Sequence, residues 1–124
     1  RTKVERAFFD VCNFVSNWIH LRMYFIEKTH VFDKWFRKLK DRRAKARILF
    51  RIQRIEEGGN FGDVRPVGEG ISELRIHYSK GYRVYLKEHN GKWVLLLAGG
   101  DKSTQKEDIE KAKDLWKEYM RDKE

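Results

Sequence analysis

The sequence predicts one α+β domain with a mainly antiparallel sheet of about five strands, an N-terminal αα-hairpin and a C-terminal helix. Three observations predict this class. Two apolar stripes at helical spacing come early, segments of strand character follow them, and one more helical stripe closes the chain. A length of 124 residues suits a single domain, and a hydrophobic fraction of 40% suits a packed core.

Residues 29 to 59 predict the αα-hairpin. Thr29 and Asp41 are suited to cap two successive helices, and Gly58-Gly59 is suited to end the second. Apolar residues recur at three- and four-residue spacing in both segments, which is the spacing of a helix with one buried face. They are Phe32, Trp35, Phe36 and Leu39 in the first helix, and Ala44, Ile48, Ile52 and Ile55 in the second.

Residues 71 to 91 predict two strands joined by a tight turn at Ser79-Lys80-Gly81 and followed by a turn at Asn90-Gly91. Apolar and polar residues alternate along both strands, so we expect one face in a core and the other in water. A wet face that gathers cations, a hydroxyl and an imidazole is suited to holding phosphates. Its residues are Glu73, Arg75, His77, Arg83, Tyr85 and Lys87.

The remaining elements follow from shorter patterns. Strands are predicted at residues 24 to 28, 64 to 67 and 92 to 98, and Pro66 suggests that the second of these lies at a sheet edge. The last helix carries one apolar stripe, which we expect to be core. Its members are Ile109, Ala112, Trp116, Tyr119 and Met120.

The charge is strongly positive. The chain has 28 Lys and Arg against 19 Asp and Glu, a net charge of +9, which indicates a polyanion, a membrane surface or an acidic protein as partner. Ten of these cations lie in residues 34 to 54 beside a single acid, Asp41. Such a run can be only a solvated face, but its imbalance favours contact with a polyanion. The candidate residues are Arg42, Arg43, Lys45 and Arg47.

Other classes of function find little support. The single Cys12 cannot form an internal disulfide, and the four His residues lack zinc-ligand spacing, so we expect no metal and no cofactor. No apolar run approaches the roughly 20 residues that a membrane span needs. We therefore expect a cytoplasmic protein with no membrane partner.

Residues 1–22 form a separate case. Val4, Phe8, Val11 and Trp18 recur at helical spacing and predict an N-terminal helical extension. Its large apolar groups are costly to leave in water, so the extension either docks on the domain or binds a partner. Met23 stands where we expect the ordinary start of a domain that covers residues 23–124.

The order of elements and several short motifs resemble the RelE/ParE superfamily of bacterial toxins, and most closely its HigB-like branch of addiction-module killer proteins. The resemblance covers residues 23 to about 120 and depends on the motifs in combination. They are Phe32-Asp33-Lys34-Trp35, Leu39-Lys40-Asp41-Arg42-Arg43-Ala44, Gly62-Asp63-Val64-Arg65-Pro66-Val67-Gly68, Glu73-Leu74-Arg75-Ile76-His77-Tyr78, Gly81-Tyr82-Arg83-Val84-Tyr85 and Gly99-Gly100-Asp101-Lys102.

This resemblance implies a RelE-like fold and the toxin of a type II toxin–antitoxin system. The implied activity is that of a ribosome-dependent mRNA endonuclease, an mRNA interferase that blocks translation and arrests growth. The implied reaction is a metal-independent attack of the ribose 2′-hydroxyl on the adjacent phosphate. The implied partners are the ribosome, mRNA and a neutralising antitoxin with a helix-turn-helix domain, whose complex with the toxin binds operator DNA.

The resemblance also implies site residues. Arg83 stands at the arginine of the Gly-Tyr-Arg motif that contacts the scissile phosphate, and Lys102 stands where such enzymes place a basic residue after the last strand. Arg75 and His77 lie on the strand that elsewhere supplies lysines. The candidates for RNA contact are Arg65, Lys87, Arg42, Arg43, Lys45 and Arg47. Each role is a hypothesis with an alternative. Arg75 can form only an ion pair with Glu73, His77 can be an exposed structural histidine, and Lys102 can be an ordinary loop lysine.

One departure from the family pattern concerns proton transfer. RelE has a catalytic tyrosine early in its last helix, but residues 105 to 109 contain no tyrosine. In a nuclease, either His77, Tyr85 or Tyr78 would take its place, or proton transfer would be weaker. The departure leaves two rivals open: a ParE-like poison that binds DNA gyrase without nuclease chemistry, and an inactive RNA- or protein-binding relative.

Overall fold

The structure, a computed structural model, describes residues 23–123. The helix predicted within residues 1–22 lies outside these residues and stays a prediction. The described elements occur in the predicted order, which confirms the α+β class. They are β1 (Phe25–Lys28), α1 (His30–Lys38), α2 (Arg42–Gly58), β2 (Val64–Gly68), β3 (Ile71–Ile76), β4 (Tyr82–His89), β5 (Trp93–Gly100), a 3₁₀ turn (Lys102–Thr104) and α3 (Gln105–Lys123).

The five strands form one mixed sheet in the order β1-β5-β4-β3-β2. The four C-terminal strands pair antiparallel as a meander, and β1 pairs parallel to β5. Strand β2 lies at an edge, as Pro66 suggested, and its pairing shifts register between Pro66 and Gly68. At the predicted turn between β4 and β5, Asn90 and Gly91 have φ values of 51° and 79°, as a tight hairpin turn requires.

Local side-chain contacts explain where the two helices of the αα-hairpin begin and end. The Thr29 hydroxyl accepts from the Phe32 N–H at the start of α1. Asp41 accepts from the N–H groups of Arg43 and Ala44 at the start of α2. Gly59 ends α2 in the left-handed conformation, at a φ of 66°, which glycine adopts at low cost. All three predicted caps are confirmed.

Both faces of the sheet are covered. One core lies between the αα-hairpin and the sheet, and it contains Phe32, Ile48 and Leu74. A second core lies between α3 and the opposite face, and it contains Tyr85, Leu97 and Ala112. The domain therefore has three layers, with the sheet in the middle.

The second core corrects one expectation. Residues 73, 83 and 85 were predicted on a wet face, but Glu73 and Tyr85 are fully buried and Arg83 is 9% exposed. The prediction was wrong because the apolar stripe of α3 covers this face, so alternation along β4 separates two cores rather than a core from water. Only the strand ends on this face remain open to a ligand.

No helix within residues 23–123 combines the length and the apolar character that crossing a bilayer requires.

Close backbone packing fixes α1 on β5. A Cβ built on Gly99 would lie 2.2 Å from Cε3 of Trp35, which is far inside van der Waals contact. We predict that Gly99→Ala lowers the free energy of unfolding by roughly 1–3 kcal/mol, because α1 must move away from the sheet. Denaturant unfolding measures this loss.

Gly58→Ala is the matched control, since no atom lies within 4 Å of its added Cβ. It is expected to leave stability unchanged or to raise it by about 0.5–1 kcal/mol. Equal stability of the two variants would contradict the close contact at Gly99.

Candidate functional site

A cleft of about 450 Å³ opens at the end of the β3–β4 hairpin, beside the 3₁₀ turn. Strand pairing explains its lining: Arg75 lies directly opposite Arg83, and Arg83 lies opposite Gly100 at the end of β5. Lys102 follows β5 at the same edge. The basic side chains that line the cleft are Arg75, His77, Lys80, Arg83 and Lys102.

Four of the five predicted catalytic residues therefore meet in one place: Arg75, His77, Arg83 and Lys102. Their catalytic roles stay predictions. Directly opposed arginines repel each other, so the pairing of Arg75 with Arg83 needs nearby counter-charges. Two carboxylates supply them: Asp63 pairs with Arg75, and Glu73, which the sequence suggested as a partner of Arg75, pairs with Arg83.

Asp63 is the first of these carboxylates. One of its oxygens contacts Nε2 of His77, and the other lies 3.2 Å from Nη2 of Arg75. The hydrogen bonds from His77 and then Arg75 lower the pKa of Asp63 below its ordinary value of 3.8. The carboxylate is thus held ionised and orients the imidazole of His77, whose side chain is 71% exposed.

Glu73 is the second carboxylate, and it is fully buried. It accepts hydrogen bonds from the Tyr85 hydroxyl at 3.0 Å and from the Gln105 amide at 2.8 Å. Nε of Arg83 lies 3.6 Å from one of its oxygens, and Nε of Arg65 lies 3.3 Å from the other. Two further strands and the start of α3 therefore converge on one buried charge of β3.

Tyr85, the fifth predicted catalytic residue, does not line the cleft. Its hydroxyl is buried and donates to Glu73, and burial together with the negative charge of Glu73 raises the pKa of Tyr85 above its ordinary value of 10.0. The hydroxyl is therefore held protonated. The prediction that Tyr85 faces water was wrong because α3 lies over it.

Two predicted RNA-contacting residues lie away from the cleft. Lys87 is partly buried on the α3 side, where its Nζ lies 5.3 Å from the centre of the Trp116 ring. Arg65 extends from the edge strand β2 over Glu73 and is 54% exposed. Arg65 remains open to a ligand, whereas the ammonium group of Lys87 is engaged with an aromatic ring.

Helix α2 carries the predicted basic surface. Arg42, Arg43 and Arg47 are exposed, while Lys45 is half-buried and donates to the Arg37 carbonyl. The surface borders a groove of about 780 Å³ that continues the cleft, because Ile76 and His77 line both. The residues that line the groove are Arg43, Ala46, Arg47, Phe50, Arg51, Ile76 and His77.

Arg51 differs from the other cations of α2 because it points inward. Its guanidinium donates to the backbone carbonyls of Phe61, Asp63 and Arg75. Burial lowers the pKa of Arg51 below its ordinary value. It ties α2 to the loop that carries Asp63, so the count of ten cations overstates the surface charge.

Sequence reasoning missed Asp63, Lys80 and the burial of Glu73. Asp63 stood within a quoted motif, and Lys80 stood in the predicted turn, but neither position signals contact with His77 or Arg83. The amphipathic stripe of α3 was the usable signal for Glu73, since a buried helix face requires a second buried face of the sheet. In residues 23–123 no three His, Cys, Asp or Glu side chains are placed to hold a metal ion.

Residues 34–117 match the family of phage-derived Gp49-like proteins (DUF891), which is a family of RelE/ParE-type toxins. The chain belongs to this family. The match confirms the resemblance to RelE/ParE toxins and identifies the domain as a RelE-like toxin of the toxin–antitoxin class. The matched range lies within predicted domain 23–124, whose boundaries stay a prediction.

Relatives in sequence and structure agree with this assignment. An uncharacterised protein of Haemophilus influenzae strain Rd is 57% identical over 93 residues, which cover 75% of this chain and 93% of that protein. Free Escherichia coli RelE with two arginines replaced by alanine has a TM-score of 0.56 at 16% identity, covering 71% of this chain and 96% of RelE. A chain of the intact Escherichia coli RelBE toxin–antitoxin complex has a TM-score of 0.54 at 19% identity, and the match covers 63% of this chain and 95% of that chain. At these identities the structural likeness shows the shared fold.

The lowered pKa of Asp63 makes a prediction about pH. A carboxylate whose pKa is lower in the folded state contributes stability above its unfolded pKa and loses it as pH falls through the folded pKa. We expect Asp63→Asn to lower the melting temperature at neutral pH. The difference should shrink as pH falls below the ordinary value of 3.8 and disappear below the lowered pKa of the folded state. Thermal melts across this range measure it.

Asp114→Asn on the exposed face of α3 is the control. It removes the same charge without touching His77 or Arg75. If the two variants show the same pH dependence, the effect comes from net charge and not from the contacts of Asp63.

Proposed function

We propose that this protein is a ribosome-dependent mRNA endonuclease, the toxin of a type II toxin–antitoxin pair. One observation carries the proposal: the cleft combines three cations from separate segments, Arg75, Arg83 and Lys102, with an exposed imidazole that a carboxylate orients. Phosphoryl transfer needs positive charge near the phosphate oxygens and a group that accepts a proton, and these residues supply both.

The proposed reaction uses these residues in separate roles. His77 accepts the proton of a ribose 2′-hydroxyl as its oxygen attacks the adjacent phosphorus. Arg75 and Arg83 stabilise the negative charge that grows on the phosphate oxygens. Lys102 protonates the departing 5′-oxygen as its bond to phosphorus breaks. The products are a 2′,3′-cyclic phosphate and a 5′-hydroxyl end, so atoms and protons balance.

The surroundings of His77 support its choice as the base. With the Nε2 proton donated to Asp63, the imidazole keeps a basic lone pair on Nδ1. Tyr85 is buried and held protonated. Tyr78 is half-buried, and the Arg47 guanidinium lies over its ring, 4.6 Å from the ring centre. The Gln105 amide, at the start of the last helix, donates a hydrogen bond to Glu73 and is not a proton acceptor.

The exposed cations of α2 are proposed to bind RNA phosphates of the ribosome. Arg43 and Arg47 border the groove that runs into the cleft at His77, which supports a continuous path for a nucleic-acid strand. Arg42 and Lys45 lie on the same helix. Arg65 is exposed on the edge strand β2 and is proposed as a separate phosphate contact.

The proposed partner that restrains this activity is a cognate antitoxin with a helix-turn-helix domain. The similar RelE structure in complex with RelB supports an antitoxin partner. An acidic segment is suited to neutralise the α2 surface. Binding of operator DNA by the pair and a cytoplasmic location complete the proposal.

Replacement of Arg83 tests the reaction. Arg83→Ala is expected to lower mRNA cleavage in a translating extract roughly 10²- to 10³-fold, because one charged donor to the transition state is removed. In cells, induction of the wild type should arrest growth and give cleavage sites in primer extension, and both should disappear in the variant. Arg121→Ala, at the exposed end of α3, is the matched control and should cleave normally.

Two other outcomes would reject the nuclease. Growth arrest with intact transcripts and gyrase-dependent DNA breaks would indicate a ParE-like gyrase poison. Growth without arrest, unaffected by the replacement of Arg83, would indicate an inactive binding relative.

Salt dependence tests the α2 surface. Replacing Arg42, Arg43 and Arg47 with Gln should weaken ribosome binding and reduce the slope of log affinity against log salt by about 0.7–0.9 for each phosphate that is no longer neutralised. The control replaces Lys106, Lys111 and Arg121, which are exposed on α3, with Gln and removes the same number of charges. An equal weakening in both sets would show that net charge, rather than this surface, determines binding.

A further inference from the structure

The buried carboxylate of Glu73 has no part in the proposed chemistry, yet four side chains converge on it. Tyr85 and Gln105 donate hydrogen bonds to it, and Arg83 and Arg65 are its ionic partners. A charge without water is costly unless other charges and hydrogen bonds compensate for it. The two arginines differ in how strongly each depends on this carboxylate.

Exposure distinguishes the two arginines. The side chain of Arg65 is 54% exposed, so water can solvate its guanidinium without Glu73. The side chain of Arg83 is 11% exposed and lies opposite Arg75, a like charge. Arg83 therefore depends on Glu73 far more than Arg65 does, because water solvates the Arg83 guanidinium poorly and the positive charge of Arg75 repels it.

Two contacts restrict the direction of the Arg83 guanidinium. Its Nε lies 3.6 Å from Glu73, and its Nη1 donates to the Gly81 carbonyl. The planar guanidinium group is thus held at two points, while the residue also lines the cleft. A Cβ on Gly81 would lie 3.0 Å from Nη1, which shows how closely the turn approaches the guanidinium.

We propose that Glu73 is a positioning residue, whose buried carboxylate holds the Arg83 guanidinium so that its remaining N–H groups face the cleft. A ligand phosphate then meets a guanidinium that is already oriented, and little reorganisation is needed as charge develops. As far as it concerns cleavage, this inference rests on the proposed function.

The competing explanation is a purely structural role. Glu73 joins β3 to the edge strand through Arg65 and to the start of α3 through Gln105. In that case its removal would loosen the fold without a specific effect at Arg83. The two explanations predict different rates of hydrogen exchange at the Arg83 Nε–H when Glu73 is replaced. They also differ in whether replacing Glu73 and replacing Arg83 lower the cleavage rate independently.

The first test needs no cleavage. In the full-length protein labelled with ¹⁵N-arginine, the Arg83 Nε–H signal is identified by its absence from Arg83→Lys, and its hydrogen exchange is measured. The contact between Glu73 and Nε is ionic, at 3.6 Å, and Nε has no hydrogen-bond partner among the described residues. Glu73→Gln keeps the side-chain shape and removes the negative charge that favours the protonated guanidinium, so exchange should accelerate on the order of 10- to 100-fold. Tyr85→Phe, which keeps the carboxylate charge, should change it little.

If Glu73→Gln gives no cooperative melt, Glu73→Asp replaces it, because a shorter side chain withdraws the carboxylate from Nε and keeps its charge. Exchange at the wild-type rate in the folded variant would overturn the proposal. This result stands whether or not the protein cleaves mRNA, so it separates failure of the inference from failure of the proposed function.

The second test is a double-mutant cycle on cleavage of ribosome-bound mRNA. Glu73→Gln should lower the rate at saturating ribosome complex while leaving the half-saturating concentration nearly unchanged. In an Arg83→Ala background it should have almost no further effect, since the group that it positions is gone. If the rate of the double variant instead falls by the product of the two single decreases, the two residues act independently and Glu73 has a structural role.

Discussion

Coverage of both sheet faces is the constraint on which the rest of this structure depends. The αα-hairpin buries one face and α3 buries the other, so polar groups in the middle of β3 and β4 cannot meet a ligand. Only the strand ends and the turns remain available. Arg75, Arg83 and Lys102 gather at one such end because the pairing of β3, β4 and β5 brings their ends together. The location of the cleft is therefore a consequence of how the core is closed.

A second consequence concerns charge. Arg75 and Arg83 lie directly opposite each other on neighbouring strands, an arrangement that is unfavourable alone. Each has its own acid: Asp63 lies beside Arg75 in a partly exposed position, and Glu73 lies beside Arg83 in a buried one. Because each guanidinium keeps a separate counter-charge, the hairpin can hold both cations at one end. Positive charge is thus concentrated at the cleft while the repulsion between the two arginines is offset.

Which features of the fold and the cleft could be predicted from the sequence depends on how far apart in the chain the interacting residues lie. Helix caps at Thr29 and Asp41, the turn at Asn90-Gly91 and the edge position of β2 depend on neighbouring residues, and all were predicted correctly. The burial of Glu73 and Tyr85 depends on a helix that begins at Gln105, and alternation along one strand cannot show whether water or a helix faces it. The contact between Asp63 and His77 spans 14 positions and depends on Arg51, which fixes the loop that carries Asp63 to α2. Such contacts are properties of the packed domain.

The inward position of Arg51 also separates the roles of the basic residues on α2. A count along the chain treats its cations as one surface, but the residue that anchors the Asp63 loop cannot also bind RNA. Of those that remain exposed, Arg43 and Arg47 border the groove that meets the cleft at His77, and Arg42 lies beside them in sequence. The imidazole thus stands where the surface proposed for affinity joins the residues proposed for chemistry. An acidic segment that covered this junction would exclude RNA from both, and it would not have to reach Glu73, which is fully buried.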